Sequence, residues 1–517
     1  MNHISTSANA QSASTRPSGL TKHCLWGLAL IFSFSLGCDS TLSVAPQSGG
    51  GGAQLDGSLE GNYSYTLGGN TYDQTAGVVP YMRAGTFVAD GKGHITSGTD
   101  DLVQAGVLST SPLTGSYAIA DDGTGLVSLD ISGTPLNLAV TILSPGKVNL
   151  IQFGANATGA GQAVLQDTTA LSAAPNGTFV FRLHSYLPAA LSPGSVSAVG
   201  ALTLSGGVVN GREDLVRSGA FSSLTVSGSF TAPDSTGRGT VQLTDSAGFT
   251  SNYIYRTLDS KTLTFLEADP GPLGSGRAEA QSGAPFSNAA MSPAFVFRSR
   301  GDTQHNLDGV NSVGTFTCDA TGTVTSGSYD SVVDGVPIEN ASLTGTCSTE
   351  ASGRATIMLN PSVNSQGLDS IQEIAWMVSS SRAFFLVNVS GRAEDGSMDQ
   401  QQTASFSSSS LKGAYSILMF GYDAQNPTEV DRVGLVNFDG NSSVTLTNYF
   451  VNRSGSKDQL GGATGSYSVA PNGRVTASVS GVTASMVAYL VSGSSGDLIL
   501  QDQGAELSGS VAQQALP

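Results

Sequence analysis

Beyond its first forty positions, this chain offers few residue types able to do chemistry: two cysteines, three histidines and several recurring acids. Cys318 and Cys347 sit 29 positions apart, each in the inward phase of an alternating run. An exported compartment would permit a disulfide between them. In a plain meander, however, a third strand separates the two, placing their backbones roughly 9–10 Å apart at two strand spacings. That exceeds the roughly 7 Å reach of a bridge, so the spacing favours two buried thiols and leaves the bridge as the alternative. A cysteine pair alone makes no zinc site. His94, His184 and His305 fall at unrelated places in or beside turns and loops, outside any HExxH or similar ligand spacing, and read as surface histidines. Without a Ser, His or Cys constellation the sequence offers no nucleophilic catalyst.

The acids recur. Asp101, Asp214 and Asp330 hold equivalent places after a hairpin, and Asp90, Asp319 and Asp439 hold the hairpin turn. Calcium is one reading, because clustered carboxylates suit a hard cation. DGKGH lacks the spaced acids of a calcium loop, and turn capping by the Asp side chain accounts for the positions without metal. Gln152, Glu267, Asn388 and Asp502 form a further set, each two residues after Leu150, Phe265, Leu386 or Leu500. If that face is interior, they give one polar contact per unit, either to a small ligand or as a plug satisfying nearby backbone groups. The expected cofactor and metal content is none, and the chain is expected not to be an enzyme.

These residues are positioned by a fourfold repeat. GTFVADGKGHITSG at residues 85–98 returns as GALTLSGGVVNG at 200–211, GTFTCDATGTVTSG at 314–327 and GLVNFDGNSSVTLT at 434–447. Each copy reads as strand, tight turn, strand. Aromatic strands precede them (LEGNYSYTL, PNGTFVFRL, SPAFVFRS, LKGAYSILMF), and a second strong element follows. There Leu113, Gly115, Tyr117 and Ile119 alternate with Thr114 and Ser116, as do Val226, Gly228 and Phe230 or Gly465, Tyr467 and Val469 in later copies. A period of two with one wet face is antiparallel β. The inward glycine is expected to make room for a large side chain across the core. About eight short strands per unit predict an all-β chain of four tandem meander domains, each an up-and-down barrel, with a two-sheet sandwich as the alternative. The expected divisions are a signal peptide at 1–37, a Gly/Ser-rich tether at 38–58, and repeats at 59–170, 171–285, 286–405 and 406–517.

LWGLALIFSFSL at 25–36 is the one long apolar run, preceded by Lys22 and followed by Gly37 and Cys38. Twelve residues suit the core of a signal peptide better than a membrane span. The segment resembles a bacterial lipoprotein signal, which implies lipidation of Cys38. With the repeats, the chain resembles the tandem β-repeat exported lipoproteins of soil acidobacteria, in which variants of GTFTADGxGxITSG and LTGTYxxxxDGxG recur in this order. That resemblance covers residues 59 to about 505 and implies the architecture but no activity. It also implies an exported protein anchored by lipid to the cell envelope, at its periplasmic face or outer surface.

Charged residues are 12% of the chain and its net charge is −17. Such a chain is repelled by phosphate backbones, so nucleic acid is not an expected partner. The expected role is structural or adhesive, toward polysaccharide or an envelope protein, with membrane contact through the N-terminal lipid. A barrel holding a small ligand for transport or sensing is the alternative, and a hydrolase with a site between repeats is a third. Packed interiors, an open cavity, or a non-repeated acid pair across a cleft would tell them apart.

Overall fold

The computed structural model describes residues 55–517 except 74–76, 188–193, 304–308, 364–369, 424–427, 481–484 and 502–504. The lipidation candidate Cys38, the signal peptide, His305 and Asp502 lie outside the described residues. Among those described there is no α-helix, only three-residue or four-residue 3-10 turns between long strands, and no helix is long and apolar enough to cross a membrane.

Four antiparallel up-and-down barrels follow one another. In the first, β1 (Glu60–Asp73), β2 (Gly77–Asp90), β3 (His94–Gln104), β4 (Val107–Ile119), β5 (Thr124–Ile131), β6 (Thr134–Ser144), β7 (Lys147–Gln152) and β8 (Ala160–Leu165) pair in sequence order. Pairing of β8 with β1 then closes the sheet. Barrels 2, 3 and 4 occupy residues 177–280, 294–400 and 412–513. In barrel 4 the counterpart of β4 is broken at Gly461 and Gly462 into Ser456–Leu460 and Ala463–Val469, while pairing around the barrel remains continuous. The β3–β4 turn is the same in all four: Ala105-Gly106, Ser218-Gly219, Asp334-Gly335 and Ser454-Gly455 each place both residues at positive φ. Those are the dihedrals of the type I′ turn that matches strand twist.

The interiors are filled. Tyr63, Tyr65, Phe87 and Leu129 meet inside barrel 1, and Phe295, Phe297, Phe316 and Phe385 inside barrel 3. Gly85 and Gly314 are needed there, because a Cβ would strike the rings of Tyr65 and Phe297. Gly115 acts differently from the expectation: a Cβ would meet the Ser128 carbonyl, so this glycine lets two strands approach rather than admitting a side chain.

Cys318 and Cys347 are bridged, with Cα atoms 6.5 Å apart. The estimate of 9–10 Å measured along a flat sheet. In a narrow closed barrel the two inward side chains meet across a chord, near the Asp319–Thr323 turn where the intervening strand begins. The turn acids behave as turn caps: Asp90 accepts from the amides of Lys92 and His94, Asp319 from Thr321 and Thr323, and Asp439 from Asn441, Ser442 and Ser443.

The barrels close into a ring. Apolar clusters join Ala84 and Val103 to Ile254, Leu266 and Leu273; Val180, Val199 and Val216 to Trp376, Phe384 and Leu386; and Val296, Val313 and Val332 to Val487, Tyr489 and Ile499. A fourth joins Leu418, Val433 and Phe450 of barrel 4 back to Ala139 and Ile151 of barrel 1. Every joint sets the outer face of β1–β3 positions against β6–β8 positions of the next barrel. The strap leaving each barrel is shared as well. Gln166, Gln281, Gln401 and Gln514 each donate from Nε2 to two carbonyls of the following barrel. Gln514, at the C-terminal end, bonds Asp122 and Ile142 of barrel 1, so the chain's end closes the ring as each linker closes its own joint. Beside them Leu171, Phe286, Phe406 and Leu516 cover the turn glycines Gly237, Gly353, Gly473 and Gly123.

Candidate functional site: the inner funnel of the ring

The acids after the hairpins are joint anchors. Asp101, Asp214 and Asp330 are fully buried. Each takes a guanidinium from the next barrel: Arg238, Arg354 and Arg474, through both Nε and Nη2 at 2.6–3.1 Å. A second donor comes from the residue paired with that arginine across the sheet, namely Arg256, Trp376 Nε1 or the Tyr489 hydroxyl. The bidentate geometry fixes orientation as well as contact. The sequence signal was present in the recurring Gly-Arg of STGR, ASGR and PNGR, but its partner lies one barrel away.

Gln152 and Glu267 occupy equivalent places at the ends of their barrels. Gln152 accepts from the Tyr81 hydroxyl and Glu267 from the Ser185 hydroxyl, and burial pushes the Glu267 carboxyl up to about 7. Asn388 does not belong to this set. Phe385 and Val387 face the barrel 3 core, whereas Leu386 packs into the joint with barrel 2, so Asn388 shares the outer face and bonds Gln372 at 2.5 Å. In barrel 4 Leu500 holds the equivalent place, two residues before Asp502. The polar group of barrel 3 is instead Glu373, paired with Val387.

Glu373 is 2% exposed. Burial first, and then the charge of Glu394, push its carboxyl up to about 8. The folded value lies above the ordinary 4.5, so its stability contribution is full below about pH 4.5 and is lost as pH rises towards 8. Glu373→Gln is therefore expected to stabilise the protein at pH 8 by about 2–4 kcal/mol and to leave it unchanged at pH 4. Thermal melts at the two pH values check this, and equal shifts at both would refute it.

His184 is no surface histidine. It lies in a strand of barrel 2, where Nδ1 is 2.7 Å from Asp395 of barrel 3 and 3.2 Å from Ser197. His94 is exposed and pairs with Asp90 in its own turn. Among the described residues no group of three His, Cys, Asp or Glu side chains could hold a metal.

Because β4 and β5 positions face outward, the β7, β8 and β1 positions line the inner side of the ring. There the ions collect. Arg182 faces Asp395 at 3.5 Å and Arg298 faces Asp497 at 3.2 Å. Nearer one mouth, Arg382 donates to Glu279 at 2.8 Å and to both oxygens of Asp399 at 2.7 and 2.8 Å, while Arg277 donates to Glu279 at 2.6 Å. Above this lattice opens a funnel of about 850 Å³ between barrels 2, 3 and 4. Its walls are the 259–261 and 379–381 turns, Thr262, Ser282 and Gln400, Gln401 and Gln402, with Val378 and Val491 supplying apolar surface. A smaller cavity, about 40 Å³ inside barrel 2 beside Ser185, Glu213 and Tyr253, has room for a few waters at most.

No protein-family model matches the chain, and no curated protein does. Among solved structures, "The Structure of Intact Ap-TbpB (N and C lobes)" is similar over 89% of this chain and 97% of that one, at 9% identity and a TM-score of 0.19. A likeness that weak carries no argument about function.

Proposed function

We propose that the protein is a non-catalytic binding module of the cell envelope, anchored through lipid on Cys38, whose funnel takes a hydrophilic ligand. The observation that carries this reading is the funnel itself. It has the volume of an ordinary ligand site, and hydroxyls and amides dominate its wall, which suits a sugar chain or a polar peptide segment. The filled barrel cores speak against small apolar cargo. The acid pairs Glu373 with Glu394 and Glu429 with Asp431 are sealed from solvent, at most 9% exposed, where no substrate reaches them.

The experiment uses cells making the full chain. Cys38→Ser should move it from the membrane to the soluble fraction, and Ser381→Trp, filling the funnel from an exposed turn, should cut retention on isolated envelope polymer by about tenfold or more. Unchanged retention by the Trp variant would remove the funnel from the function.

A further inference from the structure

Resting on the funnel as the binding site, we infer that its ligand is a saccharide carrying isolated carboxylates, held by Lys147 and Lys261. Lys261 lines the funnel from the 259–261 turn. Lys147 opens β7, the position held in barrels 2 and 3 by Thr262 and Arg382, both of which line the funnel. Its ammonium lies in the field of Arg277, Arg382, Glu279 and Asp399, so it belongs to the same mouth.

The charges at that mouth are unequal. Four cations, Lys147, Lys261, Arg277 and Arg382, meet three acids, Asp259, Glu279 and Asp399. Glu279 and Asp399 are engaged by the two arginines, and Asp259 caps its own turn by accepting from the Lys261 amide. Neither lysine ammonium makes an ion pair or side-chain hydrogen bond among the described residues, and both side chains keep solvent access. Two lysine ammoniums without a carboxylate partner, one charge in excess of the acids around them, therefore face a cavity in a chain whose net charge is −17. An ammonium beside a carboxylate is strengthened where the walls exclude water.

The rest of the wall says what carries the carboxylate. Ser260, Thr262, Ser282, Ser379, Ser381 and Gln402 offer hydroxyl and amide partners, matching the hydroxyls of a sugar chain rather than an aliphatic acid. The overall negative charge sets the density: a polyanion with a charge at every short step is repelled by the surface around the funnel, while one or two carboxylates can be paired inside it. Partial burial of the Lys147 ammonium first, then the charges of Arg277 and Arg382, hold it below its usual range. Affinity should thus fall as alkaline pH removes its proton.

Two sources share this chemistry, uronate oligosaccharides and the peptide-bearing sugars of peptidoglycan, and calorimetry on the full chain in detergent separates them. Galacturonate oligomers and muropeptides form the two acidic arms, and maltooligosaccharide is the neutral control. At least one acidic arm should bind about tenfold or more tightly than the control. Lys147→Ala with Lys261→Ala should remove that advantage, and Lys147→Arg with Lys261→Arg should keep it. Equal affinity for neutral and acidic sugars, or an unaffected double Ala variant, would overturn the inference. Neutral binding that Ser381→Trp still abolishes would leave the funnel reading standing without its charge, whereas no binding by any arm would sink both.

Discussion

Replacing Asp214 by alanine is expected to lower the unfolding free energy by about 3–5 kcal/mol, the usual range when one partner of a buried pair is removed. The carboxylate is wholly buried at the joint of barrels 2 and 3, where Arg354 reaches it through two nitrogens at 2.9 Å and Trp376 Nε1 at 2.8 Å. Alanine leaves the guanidinium without its counter-charge and the indole N–H without an acceptor. The size of the loss comes more from those orphaned donors than from the net worth of the pair. Trp376 is the sole tryptophan after Trp26, so its fluorescence reports this joint directly. The expected result is a red-shifted emission and an earlier urea midpoint. Arg354→Thr alone should also destabilise, by stranding Asp214. Asp214→Phe together with Arg354→Thr should recover part of the loss, because the 4–1 joint carries Phe450 and Thr124 at these two places. A loss under about 1 kcal/mol in Asp214→Ala would show that the anchors are solvated in solution.

The fold was legible where burial is one-sided. Around Tyr117 and Tyr467 an apolar residue alternates with Ser or Thr, so the phase of the strand can be read from the letters alone. That gave the antiparallel meander, and four copies gave four barrels. Legibility failed where both faces are buried. Along Phe384, Phe385, Leu386 and Val387, odd positions fill barrel 3 and even ones fill the joint with barrel 2. The run is apolar throughout and carries no phase, which is why the letters place Asn388 beside Gln152 and Glu267 though it faces the other way. The funnel was hidden for a related reason. Lys147, Lys261 and Arg382 come from three barrels, and nothing local says that the outer faces of a tandem repeat turn inward onto one another. Gln514 was the available clue. It repeats the place of Gln166, Gln281 and Gln401 after a last strand, and its partners are carbonyls of the first barrel.

That closure makes Phe450→Ala the most consequential change at the 4–1 joint, with an expected cost of about 3–5 kcal/mol. Phe450 is 4% exposed, lies edge-to-face with Phe153 at 5.4 Å, and packs on Ala139, Ile151, Leu418 and Val433. At the other joints a linker holds the two barrels together even when the contact loosens. Here no linker runs between barrels 4 and 1, so the joint rests on non-covalent contact at an effective concentration set by the other three. The variant should therefore open the ring before any barrel unfolds, seen as a larger radius of gyration in solution scattering with strand content unchanged. The opening should grow with pH. Burial pushes Glu429 up to about 7, and burial with the Glu429 charge raises Asp431 as well. Asn70, Thr158 and the Gly159 amide face the pair from barrel 1, and Arg300 faces it from barrel 3. Both values are raised, so the joint is firmest when these acids hold protons and weakens as pH climbs from about 5 to 8. Phe450→Asp should be worse than alanine, because Thr124, not an arginine, holds the place of the guanidinium that pairs the acid at the other joints. Adding Thr124→Arg should restore closure by rebuilding the anchor of the other three joints. If that double variant scatters like the open form, the four joints are not interchangeable and the ring's fourfold logic is confined to its backbone.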